Sequence, residues 1–219
     1  MNAQGKRSGE TAREYAYRMI RKQVISLELK PGEAFNDMEF AAKIGVSRTP
    51  VREAVIQLSE ESRIIEIFPQ RGMRIAPIDV ELVEEARSLR VLLEKQIAGM
   101  CCEMATEEDI KWLQENVGLQ EFYMENSRPE MVMQLDDEMH HKLFMICHRE
   151  LTYGMCQKLA IHYDRIRSLS VNTVKDNTII EDHRKIIQFI AEHKKENAMA
   201  QMEKHLSRWQ LNEGKFRQE

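Results

Sequence analysis

The segment LDDEMHHKLF, residues 135–144, places two adjacent carboxylates four positions before two adjacent histidines. Positions i and i+4 are neighbours on an α-helix, so Asp136 can lie beside His140 and Asp137 beside His141. A carboxylate and an imidazole held together in this way can ligate a divalent metal, or they can belong to a solvated charged face. The spacing alone does not choose between the two pairs.

Helical phase separates the two pairs. Along residues 131–147 the apolar side chains cluster on one side of the predicted helix. Asp136 lies at the edge of that side with His140 slightly further round, whereas Asp137 and His141 point away. The first pair is therefore predicted to face the interior of a helical bundle, where a carboxylate and an imidazole need partners.

Three further histidines are predicted to face inward from other helices. His183 lies within a stripe of isoleucines, while His205 shares a face with Met202 and His162 shares one with Ile166. For any one of them, a histidine satisfied within the core is the more common situation. Several inward histidines and one carboxylate from different helices indicate a metal site, because facing helices of a bundle build such sites. This set suits zinc, nickel, manganese or iron(II) and does not choose among them.

The elements that position these groups begin with three short helices. Apolar residues recur at helical spacing over residues 11–29. Asp37 is predicted to cap a second helix that ends at Gly45, and Ser47 to cap a third helix that tolerates Pro50 in its first turn. The third helix is predicted to bury three apolar side chains, namely Val51, Val55 and Leu58.

A β-hairpin follows the three helices. Residues 64–68 and 73–76 are predicted strands, joined by a turn at 69–72. Three helices and a hairpin make a winged helix-turn-helix, which we assign to residues 1–76.

Beyond Asp79, the predicted cap of the next helix, the sequence carries no strand signal. The predicted fold class is mainly α: an N-terminal winged helix-turn-helix plus a C-terminal all-α six-helix bundle at residues 77–219, for effector binding and dimerisation. The six helices are predicted at residues 79–102, 106–126, 129–148, 152–172, 177–194 and 196–217.

The composition is that of a helix-rich protein without a membrane segment. Of the 219 residues, 42% are hydrophobic and 31% charged, and neither a signal peptide nor an apolar run long enough to span a bilayer is present. We therefore expect a cytoplasmic protein with no membrane partner. Residues 1–76 carry 13 Lys and Arg against 10 Asp and Glu, and the remainder 19 against 26. A mildly basic first part on an acidic second part favours a nucleic-acid-binding head.

The four cysteines lack metal-type CxxC spacing, so free thiols in a reducing compartment are expected. An alternative is a thiol redox sensor that uses Cys101 with Cys102, or Cys147 with Cys156. That alternative is disfavoured because no basic group in the sequence is placed to lower their pKa values.

The third predicted helix carries residues suited to DNA. Arg48 and Arg52 are spaced i,i+4 on its polar side, with Thr49 beside them at the N-terminus. In a helix-turn-helix this end of the helix enters the major groove, where arginine can bond O6 and N7 of guanine and the helix N-terminus can hold phosphate. The alternative is a solvated face in which the arginines pair with Glu53.

Residues 11–76, with the motifs PGE, GVSRTPVREA and PQRG, resemble the N-terminal domain of the GntR family of bacterial transcription regulators. The resemblance implies that Arg48 and Arg52 contact bases and that Thr49 contacts the DNA backbone. It also implies that Arg71 and Gly72 in the wing reach the adjacent minor groove. In one departure, Met38 stands where FadR-type members carry an arginine, so the operator differs or one contact is missing.

Residues from about 79 to 215 resemble the FCD-type effector-binding domain of the FadR subfamily, in its metal-containing form. That form carries D-x-x-F-H on one helix and a histidine on each of two later helices. The matching residues are Asp136, His140, His183 and His205, with Met139 replacing the phenylalanine. The resemblance implies a bound divalent metal, with zinc expected first and nickel, manganese or iron as alternatives.

The same resemblance implies a small organic acid as effector. The metal retains open positions for water or a carboxylate, and the motif Arg90-x-x-x-Glu94 also fits the family. Predicted effector-binding residues are Arg90, His162, Arg165 and Arg167, with surface salt bridging as the alternative for the arginines. Six helices rather than seven favour the VanR-like branch.

The predicted function is a ligand-responsive transcription regulator, more often a repressor in this family. A homodimer reading a palindromic operator would span half-sites about 34–36 Å apart. A non-enzyme is expected: a metal-dependent hydrolase would need a general base, and neither Glu138 nor Glu181 is clearly aimed inward. A fatty-acyl-CoA sensor is disfavoured by the polar, histidine-rich pocket residues.

Overall fold

The computed structural model describes residues 5–173 and 178–207. The chain separates into two compact units: unit 1 comprises Met1–Val83 with Ile161–Ser168, and unit 2 comprises Glu84–Ala160 with Leu169–Glu219. The predicted helix break at residues 176–177 and the predicted last helical turns up to residue 217 lie outside the described residues.

Residues 5–76 of unit 1 form three helices and a small antiparallel sheet with the strand order β1-β3-β2. These elements are α1 (Ala12–Ile25), β1 (Ala34–Phe35), α2 (Asp37–Ile44), α3 (Arg48–Ser62), β2 (Ile65–Phe68) and β3 (Gly72–Ile75). The helices and the hairpin agree with the predicted winged helix-turn-helix. Strand β1 was not predicted, because two residues are too few to show the alternation that identifies a strand.

The caps in unit 1 differ from the prediction at one helix. Asn36, not Asp37, caps α2: the Asn36 side chain accepts from the amides of Met38 and Glu39 at 3.0 and 3.3 Å. Asp37 is instead the first helical residue and is buried. Ser47 is the N-cap of α3 in backbone geometry, but its side chain makes no capping hydrogen bond.

The core of unit 1 forms between the three helices and the sheet. The apolar positions predicted for α3 are buried, and side chains of α1, α2 and the strands pack with them. Fully or almost fully buried members are Ile20, Val24, Val51, Val55, Leu58, Ile64, Ile65 and Ile75. This core fixes the orientation of α3, whose polar side is left to the solvent.

The remaining helices are α4 (Val80–Met104), α5 (Glu107–Glu125), α6 (Pro129–Ile146), α7 (Glu150–Thr173), α8 (Thr178–Ala191) and α9 (Lys195–Ser207). Six helices therefore follow the sheet within the described residues, and the predicted fold class is confirmed. None of the described helices is both long and apolar enough to cross a membrane. Asp79 begins α4 as predicted, because its side chain accepts from the amides of Glu81 and Leu82.

The core of unit 2 lies between α4, α5, α6, α8 and α9. Helix α5 packs against both α6 and α8, and α8 packs against α9. The isoleucines of α8 predicted to form a stripe are buried here, with Ile180, Ile186, Ile187 and Ile190 each at most 2% exposed. The inner faces of α6, α8 and α9 also carry buried polar side chains, namely Asp136, His140, His183 and His205.

Candidate metal centre and nucleic-acid interface

Four polar side chains from three helices of unit 2 converge at one point. Asp136 and His140 come from α6, His183 from α8 and His205 from α9. Each offers one ligand atom, and these four atoms all lie within 4.8 Å of one another. The structure thus brings together the four residues that the sequence motif singled out, and we refer to them as the His₃Asp cluster.

The distances within the His₃Asp cluster are short and regular. His205 Nε2 lies 3.3 Å from His183 Nε2 and 3.3 Å from His140 Nε2. Asp136 Oδ1 lies 3.3 Å from His183 Nε2, and Asp136 Oδ2 lies 3.8 Å from His140 Nε2. Bonds of about 2.0–2.1 Å to a single ion place neighbouring ligand atoms about 2.9–3.4 Å apart, whether the ion has four ligands or keeps further positions open. Three of the four separations match that spacing, and the separation between Asp136 Oδ2 and His140 Nε2 is longer.

The choice between the two Asp-His pairs of α6 follows the helical phase. Asp136 and His140 are 6% and 1% exposed and face the bundle. His141 lies on the outer side of α6, where its ring stacks on Tyr153 with 4.3 Å between ring centroids. Asp137 is likewise only partly buried. Asp136 and His140, not Asp137 and His141, therefore belong to the cluster.

Each imidazole of the cluster directs its second ring nitrogen outward, toward an oxygen atom. His183 Nδ1 lies 2.8 Å from Gln120 Oε1 on α5. His140 Nδ1 contacts the carboxylate of Glu94 on α4. His205 Nδ1 lies 4.0 Å from Asp182 Oδ2, which is too long for a direct hydrogen bond. An acceptor at Nδ1 places the proton there and leaves the Nε2 lone pair directed into the cluster.

The buried position of the cluster controls its charge. Burial, together with the neighbouring imidazoles of His183 and His140, holds the pKa of His205 well below its usual range. Burial alone would raise the pKa of Glu94, but the charge of Arg90 and the hydrogen bonds from His140 and Arg90 outweigh it and lower that pKa to about 2. His205 is therefore a neutral nitrogen donor at neutral pH, and Glu94 is an anion.

This donor set fits a divalent metal. With the Nδ1 protons of His140 and His183 directed outward, their Nε2 lone pairs and the Asp136 carboxylate face one small volume that His205 Nε2 also borders, and a cation there would be bound by all four groups. Imidazole and carboxylate are ligands that zinc and its neighbours in the first transition row accept.

The predicted effector-binding residues have other contacts in the structure. Arg90 Nε donates to Glu94 Oε1 at 2.6 Å. His162, Arg165 and Arg167 belong to the Ile161–Ser168 segment of unit 1. Their effector role stays a prediction.

Within unit 1 these three side chains contact backbone and acidic groups. Arg165 is fully buried and donates to the carbonyl oxygens of Ala76 and Pro77 at 2.8 and 3.3 Å. Burial lowers the pKa of Arg165 to about 10. His162 Nε2 lies 2.6 Å from the carbonyl oxygen of Ser62, so this nitrogen carries the donated proton. Arg167 forms an ion pair with Asp164 at 2.8 Å, the salt-bridging alternative.

The cysteines are free, buried thiols. The structure sets Cys101 Sγ 3.5 Å from Cys147 Sγ, a pairing different from the two considered for a redox sensor. The hydrogen bond with Cys147, together with burial, raises the pKa of Cys101. The same hydrogen bond lowers the pKa of Cys147 although burial opposes the shift, so Cys101 is the protonated donor of the pair.

The DNA-facing candidates of α3 lie on the surface of unit 1. Arg48, Thr49 and Arg52 are all exposed at or near the N-terminus of the helix. Arg48 Nε donates to Asp37 Oδ1 at 2.9 Å, so a buried carboxylate of α2 orients this arginine. The alternative to DNA contact was an ion pair between these arginines and Glu53, but the ion-pair partner observed for Arg48 is Asp37.

The wing is a short hairpin whose tip carries the other two candidates. Arg71 and Gly72 are exposed at the turn between β2 and β3. Gly72 has φ +99°, a conformation that favours glycine. The neighbouring strands are tied by an ion pair between Arg74 and Glu66. Met38 is 62% exposed on α2, at the position where FadR-type members carry an arginine.

Unit 1 is a winged helix-turn-helix of the DNA-binding type, and unit 2 is a helical domain with a buried histidine and carboxylate cluster. Residues 12–75 match the family "Bacterial regulatory proteins, gntR family", and residues 85–208 match the FCD domain. The chain belongs to the GntR family of regulators, in the group that carries an FCD domain, and is a transcriptional regulator.

Relatives of known sequence or structure agree with this assignment. The transcriptional repressor RspR of Escherichia coli is 28% identical over 204 residues, which cover 93% of this chain and 89% of RspR. The Nta operon transcriptional regulator of Aminobacter aminovorans is 26% identical, over 84% of this chain and 86% of its own. Among solved structures, E. coli McbR/YncC superposes with a TM-score of 0.75 at 18% identity, covering 90% of this chain and 94% of McbR, which shows the shared fold.

Sequence reasoning missed the outer partners of the histidines. Glu94 was identified only as part of a motif with Arg90, and its contact with His140 was not foreseen. Asp182 adjoins His183 in sequence but faces His205 on the next helix. Gln120 carries no sequence signal, since an amide in the middle of an amphipathic helix is ordinarily a solvated residue.

Proposed function

We propose that this regulator is ligand-responsive, and that its FCD domain binds a divalent metal and, through it, a small carboxylate effector. The observation that carries the proposal is the convergence of three imidazole Nε2 atoms and one carboxylate within 4.8 Å in the interior of unit 2. A metal held by these four groups would supply a positive centre for an anionic ligand.

Zinc is the metal we propose first. Asp136, His140, His183 and His205 would hold it, and their separations of 3.3–3.8 Å suit bonds of about 2.0–2.1 Å to a single ion. Nickel, manganese and iron(II) accept the same donor types. The outward oxygen partners of the imidazoles would keep the rings oriented.

The DNA-binding half of the proposal rests on the exposed arginines of α3 and the wing. Arg48 and Arg52 would contact guanine edges in the major groove and Thr49 a phosphate. Arg71 and Gly72 would approach the adjacent minor groove. The ion pair with Asp37 supports a base-contacting role for Arg48, since an oriented guanidinium loses less entropy on binding.

A homodimer is proposed because a two-fold protein matches a palindromic operator. An unpartnered apolar stripe on α7 supports it: Leu151, Met155 and Leu159 follow at i, i+4 and i+8 and are 88%, 72% and 38% exposed. Exposed apolar side chains aligned on one helix face are typical of association surfaces. A second copy of the chain is the partner that we propose for this stripe.

Effector binding would regulate operator affinity through the coupling free energy between the two sites. We propose repression as the sign of regulation, supported by the similarity to RspR, which is named a repressor. We also propose the cytoplasm as the compartment, where a transcription regulator meets its operator. We propose no enzymatic activity. Hydrolysis would need a base beside the metal, and Glu138 and Glu181 are both exposed.

Fluorescence anisotropy with the upstream region of the protein's own gene, at fixed salt, tests the proposal. Sequence-specific retention over competitor DNA is expected, and the affinity should change when candidate carboxylic acids are added to the zinc-loaded protein. The same acids should have no effect on protein stripped of metal by a chelator. Equal affinity for operator and competitor DNA would exclude the DNA-binding half, and a zinc-free preparation that still responds would exclude the metal's role.

A further inference from the structure

The oxygen partners of the imidazoles in the His₃Asp cluster differ in charge. His140 faces a carboxylate, that of Glu94, whereas His183 faces the neutral amide of Gln120. Both partners are buried, at 5% and 0% exposure, so water does not screen the difference. Two ligands of the same chemical type thus lie in different electrostatic surroundings.

Glu94 is held in place by a second buried charge. Arg90, one turn earlier on α4, donates from Nε to Glu94 Oε1 at 2.6 Å, while Glu94 Oε2 faces His140. Arg90 is 6% exposed. The three side chains therefore form a buried series, Arg90 to Glu94 to His140, that ends at the cluster.

We propose that Glu94 is a positioning residue of the metal centre, and that its carboxylate makes His140 a stronger metal donor than His183. This inference rests on the proposed metal site. A carboxylate that accepts the Nδ1 proton fixes the ring and raises the electron density at Nε2, whereas an amide fixes the ring with little added charge. Arg90 acts on the site through Glu94, a role different from direct contact with the effector.

The structure also accommodates the reverse change at His183. Gln120 Nε2 donates to Asn116 Oδ1 at 2.8 Å, and Asn116 Nδ2 is buried without a hydrogen-bond partner. In a Gln120→Glu variant, rotation of the Asn116 amide by half a turn would direct Nδ2 toward the new carboxylate. The substitution would therefore add a charge beside His183 and keep the hydrogen bond between residues 116 and 120, with one buried atom of the Asn116 amide unpaired as in the wild type.

Metal affinity of the full chain tests the inference. Zn²⁺ and Co²⁺ dissociation constants are measured at one pH by competition with a chromophoric chelator, and the visible spectrum of bound Co²⁺ is recorded for each variant. We expect Glu94→Gln to weaken binding by about 10- to 100-fold and Gln120→Glu to tighten it by about tenfold. A shifted Co²⁺ spectrum in Glu94→Gln is also expected, since the donor strength of His140 changes.

Glu84→Gln is the matched control, because Glu84 pairs with Arg87 on the same helix and its side chain is 43% exposed. This variant should bind both metals as the wild type does. An equal loss of metal affinity in Glu84→Gln and Glu94→Gln would overturn the positioning role of Glu94. An unchanged metal affinity in Glu94→Gln would overturn it as well.

Gln120→Glu keeps the inference testable if Glu94→Gln does not fold, since it removes no charge from the core. Unchanged or weaker binding in Gln120→Glu would contradict the charge argument. If the wild type itself takes up neither Zn²⁺ nor Co²⁺, the proposed metal site fails and the role of Glu94 fails with it. If the wild type binds Zn²⁺ and Co²⁺ but Glu94→Gln and Gln120→Glu bind them with unchanged affinity, this inference fails and the proposed metal site stands.

Discussion

His183 and His205 lie 22 positions apart on two different helices, yet their Nε2 atoms are 3.3 Å apart. His183 is fully buried, and His205 is 9% exposed. Two neutral imidazoles at this distance stabilise each other only if one donates a proton or a cation lies between them. Since His183 Nδ1 faces an amide oxygen, its proton is on the outer side of the ring. The Nε2 lone pair of His183 therefore points toward His205, where it can accept a proton from His205 Nε2 or bind a metal ion.

Removing the central histidine should abolish metal binding. His183 Nε2 is within 3.3 Å of both His205 Nε2 and Asp136 Oδ1, so His183→Ala takes away the ligand that neighbours two others. We expect metal analysis of the purified variant to show little or no bound metal. His141→Ala is the matched control, because this ring stacks on Tyr153 and should leave metal content unchanged. Full metal content in His183→Ala would contradict the ligand set.

Operator affinity should depend on Arg52 more than on an arginine at the other end of α3. Arg52→Ala is expected to weaken specific binding by about 1–3 kcal/mol and to relax base preference, because an arginine bonded to guanine is lost. Arg63→Ala, at the C-cap of the same helix, removes an exposed cation and should have a smaller effect. Anisotropy at fixed salt measures both. Equal losses for specific and competitor DNA would assign Arg52 to a phosphate contact.

The two candidate caps in unit 1 should differ in their contribution to stability. Asn36→Ala removes two hydrogen bonds to the N-terminus of α2 and should destabilise that helix by about 1 kcal/mol. Ser47→Ala should cost much less, since the Ser47 side chain makes no capping bond to α3. Hydrogen exchange of the α2 and α3 amides compares the two locally. A larger loss of protection in Ser47→Ala would contradict the caps described above.

The apolar stripe of α7 should be needed for dimerisation. A Leu151→Glu, Met155→Glu double variant adds two like charges where 88% and 72% of the residue surfaces are exposed in the single chain. We expect light scattering to show a monomer at concentrations where the wild type is a dimer. The control is Lys185→Glu, a charge change at an exposed position of α8, away from the stripe in sequence. A dimeric double variant would place the interface elsewhere.

Much of this arrangement could be predicted from the sequence, because it depends on local periodicity. The helical phase of α6 separated Asp136 and His140 from Asp137 and His141 without any tertiary information. Capping residues located the starts of α3 and α4, at Ser47 and Asp79. Prediction failed where the local signal was short or ambiguous: β1 has two residues, and Asn36 and Asp37 are both good caps in adjacent positions.

The sequence by itself determined the fold class, the two functional halves and which face of each helix carries histidine. Only the tertiary structure decided which side chains from distant segments meet. The contacts of Glu94 with His140 and of Gln120 with His183 join residues 46 and 63 positions apart. Such contacts depend on how helices pack, and the periodicity of one helix fixes its buried face but not the partner that covers it.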